Sequence, residues 1–128
     1  MEYQNDLNIK LLKVLIIDDE LDICYLLSGI LRQKKLNTSY VNTLGDAEIA
    51  LKNDPPAVLF LDNHLPDGFG LDFIKHIKYN YPLTKIIMIT AHDSAAERSR
   101  AFREGVDFFI SKPFTRDMIS TTIDQLTA

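Results

Sequence analysis

Tryptophan is absent from these 128 residues, cysteine occurs once, and glycine and proline occur five times each. The single thiol, Cys24, excludes an internal disulfide and makes a reducing cytoplasm the natural setting. Its place in a helical stretch reads as a buried structural thiol rather than a reactive one. No apolar run approaches the roughly 18 residues that a membrane-spanning helix needs, so no membrane contact is expected. Positive charge is short as well: 14 lysines and arginines stand against 18 aspartates and glutamates, a net charge of −4. That balance lacks the basic face that nucleic-acid phosphates demand, and no direct nucleic-acid contact is expected. No Gly-x-Gly-x-x-Gly follows the first apolar run, which speaks against a dinucleotide site. The stretch Met1 to Asn8 is polar and acidic and does not read as a signal peptide.

The chain has instead five short apolar runs separated by stretches with helical spacing. The predicted strands are Lys13–Ile17, Asn37–Val41, Ala57–Leu61, Lys85–Thr90 and Asp107–Ile110. Within them Val14–Ile17, Val58–Leu61 and Ile86–Ile89 are continuously apolar, as strands covered on both faces are. The second run mixes Thr38 and Tyr40 into its pattern and suits a sheet edge. Predicted helices are Leu21–Lys34, with Cys24, Leu27 and Leu31 on one stripe, and Leu44–Asn53, which stops before Pro55-Pro56. Gly70–Asn80 follows with Phe73, Ile74 and Ile77 inward, and His76 reads as a surface residue. A helix capped by Ser94 runs through Arg103, and Thr115–Leu126 closes the chain with Met118, Ile119 and Ile123 on its apolar side. Strict alternation of strand and helix implies an α/β fold, a parallel sheet between two helical layers. The helix from Ser94 to Arg103 offers the core only small residues and Phe102. That makes it a candidate for movement, although an ordinary surface helix fits its composition equally well.

Ligands of open α/β sheets bind outside the carboxyl ends of the strands. Asp18, Asp19 and Glu20 follow the first run, Asp62 follows the third, Thr90 ends the fourth, and Ser111-Lys112-Pro113 follows the fifth. Clustered carboxylates repel by roughly 4 kcal/mol per pair at 4 Å and an effective dielectric near 20. Such a set needs a proton, a lysine or a cation to stay compact. Hard oxygen donors, without histidine or cysteine in metal-type spacing, favour Mg²⁺ over zinc. An aspartate beside a divalent ion is a competent nucleophile for forming an acyl phosphate.

With these residues in hand, the sequence resembles the receiver domains of two-component response regulators from Lys13 to about Leu126. The resemblance is carried by Val14-Leu-Ile-Ile-Asp18-Asp19-Glu20, by Leu59-Phe-Leu-Asp62-Asn-His-Leu-Pro66-Asp-Gly-Phe-Gly70, by Ile89-Thr90-Ala91 and by Phe109-Ile-Ser-Lys112-Pro113-Phe114. It implies a receiver domain over residues 13–127 behind an N-terminal extension, residues 1–12. The implied fold is a doubly wound, flavodoxin-like sheet of five parallel strands in the order 2-1-3-4-5 with five helices. It also implies that Asp62 is the phosphoacceptor, and that Asp18, Asp19, Asp62 and the backbone carbonyl of His64 hold Mg²⁺. Thr90 becomes the switch hydroxyl with Ala91 beside it, and Lys112, preceding a cis bond to Pro113, becomes the charge-pairing lysine. Phe109 takes the aromatic switch position without the hydroxyl of a tyrosine. His64 and His92 are less typical choices beside the site, at positions that tune the phosphoryl lifetime. The implied partners are a sensor histidine kinase or phosphotransfer protein, and an effector reading the face of the fourth helix, fifth strand and fifth helix. A homodimer formed on phosphorylation is left open. Two rival readings remain: a binding module of the same fold that is never phosphorylated, and a small phosphatase with an aspartate nucleophile. The phosphatase lacks its Asp-x-Asp here, since Asp18-Asp19 ends the first run.

Overall fold

The computed structural model describes residues 12–127, so the expected extension, Leu12 apart, and the reading of Met1 to Asn8 lie outside the described residues. In chain order the elements are β1 (Lys13–Ile17), α1 (Leu21–Gln33), β2 (Asn37–Val41), α2 (Leu44–Asn53) and β3 (Val58–Leu61). A 3-10 turn (Gly70–Phe73) leads into α3 (Ile74–Asn80), followed by β4 (Lys85–Thr90), α4 (Ala95–Glu104), β5 (Phe108–Ser111) and α5 (Arg116–Thr127). These five strands form one parallel sheet in the order β2-β1-β3-β4-β5. This is the doubly wound arrangement that the resemblance implied.

Alternation along the strands sorts the core into two layers. Val14, Ile16, Phe60 and Ile89 pack with Cys24, Leu27 and Leu31 of α1 and with Ile119 and Ile123 of α5. Leu15, Ile17, Leu61 and Met88 face Ala47 and Leu51 of α2, Ile74 and Ile77 of α3, and Ala101 of α4. β2, exposed or half-buried throughout, is an edge strand as its composition indicated. Among the described residues no helix is long and apolar enough to cross a membrane.

Several predicted boundaries move for local reasons. β5 begins at Phe108 rather than Asp107, because the Asp107 carboxylate turns back to accept the Ile86 N–H at 2.9 Å. β3 begins at Val58 rather than Ala57, although the Ala57 N–H still donates to the Lys13 carbonyl at 2.9 Å. Thr115 lies outside α5, its hydroxyl accepting the Met118 N–H at 3.1 Å. Ser94 caps α4 as expected, accepting the Glu97 N–H at 3.1 Å. Phe102 does not serve the core: it is 46% exposed, and the neighbouring Ala101 is the buried residue of α4. Met118 is likewise exposed on α5. His76 is half-buried rather than free on the surface, with its Nε2 2.6 Å from Glu48 of α2.

Candidate functional site

Register brings the strand ends level. Ile17 stands opposite both Val41 and Leu61, Leu61 opposite Met88, and Thr90 opposite Ser111. The residues that follow therefore emerge along one edge of the sheet, around a cleft of about 210 Å³ lined by Asp19, Glu20, Asp62, His64, His92 and Lys112. Ala91 also borders this cleft. Asp18 and Asp62 are buried, at 0% and 4% exposure, while Asp19 and Glu20 reach into solvent. One carboxylate oxygen from each of these four residues lies within 4.8 Å of the others.

The Lys112 ammonium sits among them, 2.9 Å from Asp18 Oδ2, 3.1 Å from Glu20 Oε1 and 3.7 Å from Asp62 Oδ2. The Lys112–Pro113 peptide is cis, and the Lys112 N–H donates to the Thr90 carbonyl at 2.9 Å. Thr90 itself is buried, its hydroxyl accepting the His92 N–H at 3.2 Å. Backbone donors hold the acids: the Glu20 N–H donates to Asp18 Oδ1 and the Asn63 N–H to Asp62 Oδ1, both at 2.9 Å. The Asn42 amide and the Cys24 thiol fix the Asp18 carbonyl from behind, at 2.8 and 3.3 Å. Burial pushes the Cys24 thiol up to about 11, consistent with a structural role.

Electrostatically the cluster is under-compensated. Burial, with the neighbouring Asp18 charge adding to it, raises the Asp62 carboxyl to about 6. Asp18 is also raised by burial, which outweighs its contact with Lys112. For Lys112 burial acts downward, but the Asp18 contact and the Asp62 charge more than offset it and hold the ammonium above its ordinary value. Asp18 Oδ2, fully buried, has the Lys112 ammonium at 2.9 Å as its partner, a cation it shares with Glu20 and Asp62. Four clustered carboxylates with one ammonium among them form a hard-donor set that fits a small divalent cation. Opposite ligands on octahedral Mg²⁺ lie about 4 Å apart, close to the spread of these carboxylates.

The loop after Asp62 is built for close approach. His64–Leu65 and Gly68–Phe69 pair as a two-residue antiparallel hairpin across Pro66-Asp67, a feature too short to read as strands in sequence. Asp67 anchors it to the first turn of α2, accepting the Leu44 and Gly45 N–H groups at 2.9 Å each. Those two bonds hold the Asp67 carboxyl below its ordinary range. Gly70 returns the chain against the acceptor, and a Cβ there would sit 2.2 Å from the Asp62 carbonyl. The rings of His64 and His92 lie 4.0 Å apart at the cleft mouth, and Arg98 of α4 stands 4.7 Å from the ring centre of buried Phe109.

Structure thus gathers Asp18, Asp19, Asp62, His64, Thr90, Ala91 and Lys112 at one edge, with Pro113 exposed beside them and Phe109 one strand away. It adds Asn63, Glu97, Asp67 and Arg98, which sequence reasoning passed over. Of these, only Glu97 left a readable signal, the Ser-x-x-Glu spacing of a capping box after Ser94.

The family model described as "Response regulator receiver domain" matches residues 14–124. Response regulator protein PilR of Pseudomonas aeruginosa is 35% identical over 115 residues, covering 87% of this chain and 26% of PilR. The chain spans about a quarter of the length of PilR and of LuxO from Vibrio vulnificus. The solved receiver domain of NtrX from Brucella abortus superposes with a TM-score of 0.83 at 30% identity, over 90% of this chain and 99% of that one. The beryllofluoride-activated NtrC4 receiver domain dimer gives a TM-score of 0.85 at 36% identity, over 89% of this chain and 94% of that one.

Proposed function

This chain belongs to the response regulator receiver family, signalling domains of two-component systems, and from that premise we propose that Asp62 accepts a phosphoryl group in a Mg²⁺-dependent reaction. The observation that carries the reading is the Asp62 carboxylate, buried at the cleft floor with Lys112 3.7 Å from its Oδ2. Asp18, Asp19, Asp62 and the His64 carbonyl would hold the ion, which when bound supplies positive charge to the phosphoryl oxygens.

The donor is a phosphohistidine on a sensor kinase or phosphotransfer protein. An Asp62 oxygen attacks phosphorus as the P–N bond of a donor protonated on its other ring nitrogen breaks, leaving a mixed anhydride on Asp62 and a neutral imidazole on the donor. Burial holds the Asp62 carboxyl up at about 6 even with Lys112 beside it, so further positive charge in the cleft would favour the ionised form that attacks. Lys112, already among the acids, neutralises an oxygen of the transferred group. Thr90, whose oxygen accepts the His92 N–H, donates its hydroxyl proton to another. Movement of Thr90 frees space for Phe109 to repack, and the α4–β5–α5 face changes shape as a population shift between two packings. That face carries a groove of about 470 Å³ lined by Phe108, Phe109, Met118 and Thr122, suited to an effector surface or a second copy after phosphorylation. The reaction belongs in the cytoplasm, where kinase domains present the donor.

Incubation with acetyl phosphate and Mg²⁺ tests the reading by intact mass. One phosphoryl adduct is expected on the wild-type chain, and none in Asp62→Asn or Asp62→Ala. An adduct that survives both substitutions rejects Asp62 as the acceptor.

A further inference from the structure

Asn63 directly follows the acceptor, is 3% exposed, and has each of its polar groups engaged. Its N–H donates to Asp62 Oδ1 at 2.9 Å and its carbonyl accepts the Gly70 N–H at 2.8 Å. Its side-chain oxygen accepts the Leu71 N–H at 3.0 Å, and its side-chain nitrogen donates to Glu97 Oε2 at 2.9 Å. The other oxygen of Glu97 accepts from the Ser94 hydroxyl at 3.1 Å, while the Glu97 N–H donates back to Ser94 Oγ. An unbroken hydrogen-bonded path therefore runs from the Asp62 carboxylate to the capping turn of α4.

This path matters because the apolar anchoring of the helix is slight. Only Ala101 of α4 is buried, and Phe102 faces solvent. The helix's other ties include partly exposed ion pairs, Arg98 with Asp93 and Arg100 with Asp72, of a kind that contributes little singly, and the Arg98 guanidinium over the Phe109 ring. The half-buried, charge-assisted bond from Asn63 to Glu97 is the tie that joins this turn to the residue beside the acceptor.

We propose that Asn63 and Glu97 are positioning residues that couple the phosphoacceptor to α4, their mutual hydrogen bond holding the helix in its phosphoryl-free arrangement. The inference rests on the reading of Asp62 as phosphoacceptor. The carboxylate that accepts the Asn63 N–H carries a full negative charge; in the mixed anhydride that charge moves outward to the phosphoryl oxygens. The bond from the Asn63 N–H weakens accordingly, and the residue clamped between Leu71 and Glu97 is released to shift. Coupling of this kind is reciprocal, so loosening the tie at Glu97 favours the phosphoryl-bearing state at Asp62. It reaches α4 by a route separate from Thr90 and Phe109.

Beryllium fluoride with Mg²⁺ serves as the probe, followed by amide resonances and by its dissociation constant. Glu97→Ala, and Glu97→Asp, which keeps the first-turn charge but withdraws it from Asn63, are expected to bind the probe roughly fivefold tighter than wild type. Their α4 amide resonances, before any probe is added, are expected to lie part of the way toward the wild-type bound positions. Glu97→Gln, whose amide oxygen still accepts from Asn63, and Ser94→Ala, which removes the cap and the bond to Glu97 Oε1 but leaves Glu97 Oε2 to Asn63, are expected to stay within about twofold of wild type. Equal or weaker probe binding by Glu97→Ala and Glu97→Asp overturns the coupling while leaving the acceptor reading intact. So does a gain in Ser94→Ala as large as theirs, since the cap would then be its source. A wild-type chain that binds no probe overturns both.

Discussion

Lys112 places one ammonium 2.9 Å from Asp18 Oδ2 and 3.7 Å from Asp62 Oδ2, so a single charge is shared between two buried carboxylates. Removing it leaves the acids uncompensated and eager for any other cation. In Lys112→Ala, Mg²⁺ affinity is expected to equal or exceed that of wild type, while the response of the α4–β5–α5 resonances to a phosphoryl mimic is lost. Titration of both variants with Mg²⁺ and then with beryllium fluoride separates the two effects. Parallel loss of metal binding and response would show that Lys112 chiefly supports the fold.

Metal binding at this edge should register as stability. A ligand present at ten times its dissociation constant stabilises the folded state by about 1.4 kcal/mol. For a domain of this size that is a rise of about 5 °C in Tm. Thermal unfolding in Mg²⁺ and in chelator is expected to show this gap for the wild type, and to show it shrinking sharply in Asp18→Asn.

The pH dependence of the metal-free protein follows from the raised Asp62 carboxyl. Its folded value of about 6 lies above the ordinary 3.8, so the folded state holds this proton more tightly than the unfolded chain does. Stability in chelator is therefore expected to fall as pH rises from about 4 to about 6, and to level off above that. After screening by cleft water the loss is about 1–2 kcal/mol. Asp62→Asn is expected to flatten much of this slope and to be more stable than wild type at pH 7 without metal. Denaturant midpoints across that range are the measurement, and a slope of the opposite sign would refute the assignment.

Two glycines offer a contrast within one experiment. A Cβ at Gly29 in α1 meets nothing within 4 Å, whereas one at Gly70 sits 2.2 Å from the Asp62 carbonyl. Gly29→Ala is expected to stabilise by about 1 kcal/mol through helix propensity. Gly70→Ala is expected to destabilise by about 3 kcal/mol or more, because backbone rather than a flexible side chain must yield. Urea midpoints of the two variants check both signs.

Much of this protein was legible in one dimension because burial on both faces leaves a simple mark. Val14–Ile17, Val58–Leu61 and Ile86–Ile89 are apolar without a break, since water reaches neither side of those strands. Alternation with helical stripes then implies parallel crossovers, and acids, a hydroxyl and a lysine just past the runs must share the carboxyl edge. Local chemistry reads almost as well: Ser94 announced the start of α4 through its own hydroxyl.

What only the tertiary structure decided depends on partners far apart in sequence. The choice of Ala101 over Phe102 as the buried residue of α4 is a matter of helix phase against the sheet, and hydrophobicity alone favours the larger ring. The bonds from Asn63 to Glu97 and from Asp67 to the Leu44 and Gly45 N–H groups join loops that no pattern links. Nor does composition disclose how one ammonium divides itself among Asp18, Glu20 and Asp62, because electrostatic compensation is set by distances of a few ångströms in a buried cleft.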